Sequence, residues 1–581
     1  MLPMVNRLQP QHDRYYWLFY NVTYYTQTGT VYAKVVGCSE TAYPVCIQIS
    51  CLNGAQPSGQ LIQMKASNLE VLNTITEPKN MYPSDNLENL LNLVIYDMII
   101  YCLKLCLRYF KIIQFFWEFT MGEKFSVVVI GSGPGGYAAA IRCAQKGASV
   151  AIVEKDFIGG TCLNHGCIPS KALLASAHTL LMVKNAALMG IDIPTVSANW
   201  PNIQKRKETI VNGFRKGLTG LIQANKIRII QGRGIVTSPN KLVVQNNLSQ
   251  LEVEANKIIL ATGSKSVEIP AIPFNGTSII SSKEALELKQ IPQSMVIIGG
   301  GVIGCELACV YSTMGTKVTI IEALSRLIPM EDEWVGQMLS REFKKLGIES
   351  LTGQKVISAE PTNGSVKVTL QSGQTILAEK VLVCVGRKAT CDKETIDNVG
   401  LAMKGSAIAV NNRMETNVRD IYAVGDAVGT TFLAHGGFAE AEVAADNATG
   451  HNATMGDYSL IPRAVYTFPE IASVGKGEEA CRKEGIEVLV GRAFFKANGR
   501  SIGHNETIGE IRVVRNKANE KIVGVTMVGS AVTELISAAR ALIGSTERIT
   551  DITFPHPTIS EVLKEAWEDA FKISLHTPPS V

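Results

Sequence analysis

The sequence is poor in cysteine and carries little net charge. Thirteen cysteines in 581 residues exclude a small disulfide-stapled scaffold and predict reduced thiols in a reducing compartment, the cytoplasm or alternatively an organelle matrix. The 56 basic and 52 acidic residues leave a net charge of +4, too small to predict a nucleic-acid groove. With 46% hydrophobic and 19% charged residues, the composition is that of a globular protein of several domains. We expect any disulfide to be catalytic.

The first 120 residues show no apolar run after Met1 and no enrichment in Arg and Ser. We therefore expect neither a secretory signal nor a transit peptide. The apolar stretch 90–117 is interrupted by four charged residues, Asp97, Lys104, Arg108 and Lys111. No uncharged run there reaches the ~18 residues that span a bilayer, and the spacing places the four on one stripe of an amphipathic helix. We interpret 1–120 as an appended extension or as sequence translated from the wrong start. Contact of this extension with a membrane surface is the alternative.

Glycine is abundant, at 50 residues, and the first informative cluster follows an apolar strand. The strand leads into Gly131-Ser-Gly133-Pro-Gly135-Gly136, then a helical stretch, then a second strand that ends in Glu154. This order is the context that a dinucleotide-binding fingerprint requires. The glycines would let the backbone approach a pyrophosphate at the helix N-terminus, and Glu154 would bind ribose hydroxyls.

A second copy of this pattern begins at Gly299 and continues through Gly301 and Gly304 to Glu322. In both copies the acid follows the first glycine by 23 residues (154−131 and 322−299). A single glycine turn is a weak signal, because such turns also serve only to pack helices on strands. Two copies with the same spacing predict two nucleotide sites.

Between the two fingerprints lie Cys162 and Cys167. Five residues advance about 7.5 Å along an ideal helix, whereas bridged cysteines need Cα atoms about 4.4–6.8 Å apart. The two can pair only where the backbone is distorted, which Gly166 and Pro169 permit. The segment predicts a redox-active pair. Two buried thiols or two metal ligands are the alternatives, although no second ligand pair lies nearby in the sequence.

These segments resemble the flavin-dependent pyridine nucleotide–disulfide oxidoreductases, over about residues 124 to 571. The resemblance includes four further motifs: Ala261-Thr-Gly-Ser264, Thr416-Asn-Val-Arg-Asp-Ile-Tyr-Ala-Val-Gly425-Asp426, Tyr466-Thr-Phe-Pro-Glu-Ile-Ala-Ser-Val-Gly475 and His556-Pro-Thr-Ile-Ser-Glu561. It implies an α/β fold with two Rossmann-like dinucleotide-binding domains, for FAD and NAD, and a C-terminal α+β dimerisation domain. The implied divisions are the extension 1–120, an FAD-binding domain 121–267 with the redox pair, an NAD-binding domain 268–388, a central domain 389–461 and an interface domain 462–581.

The resemblance also implies the cofactor contacts. FAD would bind the first fingerprint together with Thr262, Gly263 and Asp426, with Asp426 hydrogen-bonded to the ribityl chain. Lys171 and Glu306 would lie together beside the flavin ring, where a cation stabilises electron density on the reduced flavin. NAD would bind the second fingerprint, because the acid that ends it should repel the 2′-phosphate of NADP. No metal is expected.

The same resemblance implies oxidation of protein-bound dihydrolipoyl groups with reduction of NAD⁺. Cys162 would exchange with the substrate, Cys167 would lie against the flavin, and His556, oriented by Glu561, would be the base. The implied partners are a second copy of the chain, whose His556 segment faces the thiols across the dimer, and lipoylated carrier domains of 2-oxoacid dehydrogenase or glycine cleavage complexes.

Two departures from the family pattern concern His165, which stands where the family usually has Val, and Phe554, which replaces the first His of a His-Ala-His-Pro motif. We interpret His165 as a solvated side chain; stabilisation of a thiolate is the alternative. Other functions considered are a glutathione-reductase-like or metal-ion-reducing enzyme, and a non-catalytic flavoprotein scaffold in a multienzyme complex. Retention of the cysteines, the base and its carboxylate argues against the scaffold.

Overall fold

The computed structural model describes residues 21–26, 29–35, 47–52, 123–246, 249–546 and 552–576. The chain divides into two units, Met1–Phe110 and Lys111–Val581. In the first unit, three strands form an antiparallel sheet in chain order: Asn21–Thr26, Gly29–Val35 and Ile47–Leu52. The amphipathic helix predicted within 90–117, with its possible membrane contact, lies outside the described residues.

The second unit opens with a seven-stranded sheet, whose central strands are fully buried. Val127, Val128 and Val129 are at most 1% exposed, the continuous apolar pattern of a parallel strand covered on both faces. The strands run in the order Arg228–Gln231, Val150–Glu154, Glu123–Ile130, Gln250–Leu260, Lys241–Gln245 and Arg233–Ser238, with Ile421–Ala423 also paired to Gln250–Leu260. The first four strands are mutually parallel, and each of the next two pairs antiparallel with the strand before it in this order.

The helices around this sheet carry the cysteines and the glycine turn. They are Pro134–Gln145, Gly160–His165, Cys167–Lys184, Trp200–Ala224, Lys393–Val399 and Ala434–Ala448. Short 3₁₀ turns lie at Ala186–Met189, Gly425–Val428 and Tyr458–Leu460. The helices Pro134–Gln145 and Ala434–Ala448 pack closely on each other, so the first glycine turn and the Gly425–Val428 turn meet at one end of the sheet.

A five-stranded, wholly parallel sheet follows. Its order is Ile279–Ile280, Lys380–Val383, Ser294–Ile298, Lys317–Glu322 and Glu349–Thr352. The associated helices are Ser282–Leu286, Val302–Thr313 and Glu333–Lys345. Val356–Thr362, Ser365–Leu370 and Thr375–Ala378 form a small antiparallel sheet beside it, and two-stranded pairs join Ser264–Ser266 to Arg387–Ala389 and Met403–Lys404 to Ala407–Ile408.

The C-terminal part is an antiparallel sheet of five strands with helices on it. The strand order is Arg463–Val465, Glu470–Gly475, Ile522–Gly529, Glu510–Asn516 and Val488–Phe494. Its helices are Glu478–Lys483, Gly499–Gly503, Val532–Leu542 and Ser560–Ala570, with a 3₁₀ turn at Phe495–Ala497. The predicted fold class, two Rossmann-like domains and a C-terminal α+β domain, is confirmed.

Among the described residues, one stretch, Gly160–Lys184, is long and apolar enough to cross a membrane by length and composition alone. It is two helices, because Gly166 breaks the backbone with φ −142° and ψ −112°. The second of them packs against Trp200–Ala224 and Val302–Thr313. The two helices are therefore interpreted as part of the α/β core, with Cys162 in the first and Cys167 at the start of the second.

Candidate active site

The two glycine turns have the same local geometry, which follows from the backbone and not from side chains. Gly131 has φ +101° and Gly299 has φ +112°, values that side-chain-bearing residues rarely adopt. A Cβ on Gly136 would lie 1.9 Å from the oxygen of Gly131, and a Cβ on Gly304 would lie 2.1 Å from that of Gly299. Each helix can therefore approach its turn only with glycine at this position.

The two acids occupy equivalent positions and are held by the turns. Glu154 accepts hydrogen bonds from Ser132 N–H (2.9 Å), Ser132 O–H (2.6 Å) and Asp156 N–H (2.8 Å). Glu322 accepts from Gly300 N–H (2.6 Å) and Leu324 N–H (2.8 Å). Oε1 of Glu154 and both carboxylate oxygens of Glu322 accept one bond each and retain acceptor capacity. Both acids are positioned to receive a ribose hydroxyl at the mouth of the turn.

The middle glycines leave open space in front of the helix N-termini. A Cβ added at Gly133 or Gly301 would meet nothing within 4 Å. Both residues are the N-caps of their helices, where unpaired backbone N–H groups favour an anion. The two turns therefore fit the pyrophosphates of FAD and NAD.

A cavity of about 820 Å³ extends from the first turn to the cysteines. Its lining includes the first fingerprint, Glu154, both cysteines, Thr262, Gly263, Lys171, Glu306 and Asp426. Its size is within the range of small-molecule and cofactor sites. The structure thus brings together the residues expected to bind FAD, and their arrangement fits an extended dinucleotide. Gly299, Gly301 and Glu322 lie outside this cavity, on the second turn.

Asp426 belongs to a polar group that sequence reasoning did not identify as such. Ser264 O–H donates to Asp426, and Arg387 donates to Ser264 through Nε (2.8 Å to Oγ) and Nη2 (2.8 Å to the carbonyl). Arg387 Nε lies 3.8 Å from Asp426 Oδ2. Thr262 and Thr390 exchange two hydrogen bonds. Thr390 Oγ1 donates to the Thr262 carbonyl at 3.0 Å, and Thr262 Oγ1 donates to the Thr390 carbonyl. Ser264 stood in a quoted motif, but nothing in the spacing signalled the approach of Arg387.

Cys162 and Cys167 are free thiols in the wall of this cavity, and each perturbs the pKa of the other. The backbone distortion that the spacing required occurs at Gly166, the junction of two helices, whereas Pro169 lies within the first turn of the second helix. Donation by Cys162 lowers the pKa of Cys167 to about 7, aided by the charge of Lys171 and opposed by burial. The same hydrogen bond, with burial, raises the pKa of Cys162. The reduced pair therefore holds its negative charge on Cys167.

Lys171 and Glu306 come together from helices 135 residues apart. Lys171 Nζ lies 3.0 Å and 2.8 Å from the two carboxylate oxygens of Glu306, which is 4% exposed. Glu306 also accepts from Tyr466 N–H at 3.1 Å, and Lys171 Nζ lies 4.5 Å from the centre of the Tyr466 ring. Burial of the Glu306 carboxylate has a cost in desolvation, which the ion pair with the part-exposed Lys171 offsets, and such an arrangement is typical of a functional site. Tyr466 opened a quoted motif, but its part in fixing this pair was not anticipated.

His165 is not the solvated side chain that we expected. Its side chain is only 20% exposed, and its Nδ1 lies 3.2 Å from Glu287 Oε1. His165 ends the helix that carries Cys162 and belongs to the residues that line the cavity with the two cysteines. Phe554, the other departure, packs against the core of the C-terminal domain.

His556 and Glu561 form a pair away from this cavity. His556 Nδ1 lies 2.9 Å from Glu561 Oε1, and the other carboxylate oxygen accepts from Thr558 N–H at 2.9 Å. Burial alone would raise the pKa of Glu561, but these two hydrogen bonds outweigh it and lower the pKa. His556 is 79% exposed, and the residues that line the cavity include neither member of the pair. Within one chain the pair therefore faces outward.

Comparison with known proteins identifies the family of this chain. A family model for pyridine nucleotide-disulphide oxidoreductases matches residues 125–448, and a model for the dimerisation domain of the same enzymes matches 461–567. The chain belongs to the pyridine nucleotide-disulphide oxidoreductase family. Its C-terminal domain is a dimerisation domain, which supports a homodimer. The predicted divisions at 267, 388 and 461 stay predictions.

Curated relatives cover nearly all of the chain that follows the extension. A dihydrolipoyl dehydrogenase of Bacillus subtilis is 38% identical over 460 residues, 78% of this chain and 100% of the relative. A dihydrolipoyl dehydrogenase of Chlamydia muridarum is 38% identical over 471 residues, 79% of this chain and 100% of the relative. Members of this family use FAD and NAD, as the two glycine turns predict.

Two solved structures share the fold. The HOCl-induced flavoprotein disulfide reductase RclA of Escherichia coli, as its Cu(II) complex, matches with a TM-score of 0.70 at 25% identity, over 77% of this chain and 99% of that one. LpdA of Mycobacterium tuberculosis matches with a TM-score of 0.72 at 23% identity, over 77% and 99%.

Proposed function

We propose that this protein oxidises dihydrolipoyl groups to lipoyl groups and reduces NAD⁺. One observation carries the proposal: Cys162 and Cys167 lie as thiols in the wall of one cavity, which begins at the FAD-type turn. Relatives at 35–38% identity named dihydrolipoyl dehydrogenase support the same reaction. The first glycine turn, Asp426 and Lys171 would hold FAD, which would supply the two-electron chemistry that links oxidation of the dithiol to reduction of NAD⁺.

The thiol chemistry is an exchange of one disulfide for another. A substrate thiolate attacks Cys162 of the oxidised pair, breaks the Cys162–Cys167 bond and leaves Cys167 as the thiolate. The second substrate thiolate then attacks the substrate sulfur of the mixed disulfide, which releases oxidised lipoyl group and reduced Cys162. The electron pair resides on Cys167, the sulfur whose pKa is lowered to about 7.

A base must remove the protons of the substrate thiols, because a free thiol near pKa 8.5 is mostly protonated at neutral pH. We assign this role to His556 of the partner subunit. Glu561 orients the imidazole through Nδ1, so that Nε2 accepts the proton, and it stabilises the resulting cation. The exposure of His556 and its separation from the cavity of its own chain support a site that needs two subunits.

Nucleotide choice follows from the second turn. The carboxylate of Glu322 suits the two hydroxyls of an adenosine ribose and repels a 2′-phosphate. We therefore propose NAD rather than NADP as the acceptor. We also propose that the dihydrolipoyl substrate is carried by the lipoylated domains of a 2-oxoacid dehydrogenase or glycine cleavage complex, in the cytoplasm.

The test is a direct assay of the purified, FAD-loaded protein. We expect NADH formation from NAD⁺ and dihydrolipoamide, with much slower reduction of NADP⁺. Activity with NADPH and glutathione disulfide, or with a metal ion in place of the lipoyl substrate, would assign the protein to another branch of the family. A bound flavin without any disulfide exchange would favour the scaffold.

A further inference from the structure

Glu440 is a buried carboxylate that takes no part in the reaction described above. It lies on the helix Ala434–Ala448 and is 1% exposed. Its Oε2 accepts a hydrogen bond from Gly425 N–H at 2.6 Å, and its Oε1 accepts from Tyr458 O–H at 2.9 Å. One side chain thus joins this helix to two separate turns.

The turn that Glu440 holds is the one that carries Asp426. Gly425 has φ +69°, and its backbone lies against the first glycine turn: a Cβ on Gly135 would be 3.4 Å from Gly425 N. The backbone N–H of Gly425 is therefore oriented by the carboxylate behind it. The position of Asp426, one residue further on, depends on that hydrogen bond.

The charges around Glu440 do not compensate its own. Asp426, on the turn in front of it, carries a like charge. On the packed helix Pro134–Gln145 and the residue after it, Arg142 and Lys146 pair with Glu442 and Asp446 instead. No cation lies within ion-pair distance of Glu440 among the residues that the structure describes. Tyr458 O–H and Gly425 N–H are its stabilising partners.

Burial raises the pKa of Glu440 to about 7, with Asp426 acting in the same direction and the two hydrogen bonds opposing. The side chain is thus ionised above that pH and neutral below it. When ionised, it accepts a charge-assisted hydrogen bond from Gly425 N–H. When protonated on Oε1, it accepts only an ordinary one, which is weaker by roughly half.

We propose that Glu440 is a positioning residue of the FAD site: its ionised carboxylate holds the Gly425–Asp426 turn in place, and gain of a proton weakens the binding of FAD. The inference rests on the FAD site of the proposed function and adds a pH dependence to it. FAD affinity is highest above pH 7 and falls as the pH falls through about 7.

Glu440→Gln tests this, because the amide reproduces the protonated side chain: its oxygen accepts from Gly425 N–H and its NH₂ faces Tyr458. Release of FAD from diluted holoenzyme is followed by the rise in flavin fluorescence between pH 5.5 and 8.5. We expect the wild-type dissociation constant to rise about fivefold from pH 8 to pH 6, because the charge-assisted hydrogen bond from Gly425 N–H becomes an ordinary one. In the variant it should equal the wild-type value at pH 6 throughout.

Two further variants locate the effect. Glu442→Gln, two positions along the same helix, removes an exposed carboxylate and should retain the wild-type pH profile. Tyr458→Phe removes a hydrogen bond that opposes protonation of Glu440, so the midpoint should move to higher pH. This second shift tests the inference even where Glu440→Gln folds poorly.

A wild-type FAD affinity that does not change with pH, a Glu440→Gln variant that keeps the wild-type profile, or an unshifted midpoint in Tyr458→Phe would each refute the inference. A wild-type protein that binds no FAD at any pH would instead refute the proposed function.

Discussion

The charge on the reduced cysteine pair can be tested by replacing one thiol at a time. Cys162→Ser removes the exchange sulfur but keeps an O–H group that can donate to Cys167. Cys162→Ala removes the donor as well. Because donation by Cys162 is the main cause that lowers the pKa of Cys167, the two variants should differ.

The size of the effect follows from the pKa values. A thiol with the ordinary pKa of about 8.5 is about 3% thiolate at pH 7, whereas one with a pKa of about 7 is about half thiolate. In Cys162→Ser we expect the thiolate of Cys167 to form with a midpoint close to pH 7. In Cys162→Ala the midpoint should lie higher, although the charge of Lys171 still favours the thiolate.

Two measurements report this ionisation. The first is the pH dependence of alkylation of Cys167 by iodoacetamide. The second is the long-wavelength charge-transfer absorbance of the FAD-loaded variant, which should fade as the pH falls through the midpoint. Cys167→Ser is the matched control and should show no such band. A band in Cys167→Ser and none in Cys162→Ser would reverse the assigned roles, and equal midpoints in the Ser and Ala variants would contradict the hydrogen-bond explanation.

Three further outcomes are expected. Glu322→Gln should narrow the preference for NAD over NADP, by about tenfold in kcat/KM, because it removes the charge that repels the 2′-phosphate; an unchanged ratio would contradict this. We expect Gly136→Ala to be purified without bound FAD, measured by absorbance, since its Cβ would lie 1.9 Å from the backbone oxygen of Gly131. A variant fully loaded with FAD would show that the backbone of the turn can shift to accommodate the methyl group. Inactive Cys162→Ser and His556→Gln chains, mixed into heterodimers, should regain activity at one of two sites, and heterodimers that stay inactive would refute a site shared between subunits.

The local sequence pattern was enough to predict those parts of the site that a single continuous segment of backbone forms. The two glycine turns and their acids could be predicted because strand, turn and helix impose a fixed spacing, and because only glycine tolerates φ near +100° at Gly131 and Gly299. A backbone distortion between the cysteines, which Gly166 or Pro169 would permit, could be predicted if the two are to bond, since five helical residues separate them too far. Only the structure places it at Gly166.

The roles of single side chains distant in sequence were settled only by tertiary packing. The sequence provides no reason for Arg387 to approach Asp426, for Tyr466 to donate to Glu306, or for Glu440 to hold the Gly425 turn. His165 is a further example: its polar side chain suggested exposure to solvent, but it is 20% exposed and its Nδ1 lies 3.2 Å from Glu287 Oε1. Spacing along the chain encodes backbone geometry, whereas the partner, the burial and the pKa of a side chain depend on which elements pack around it.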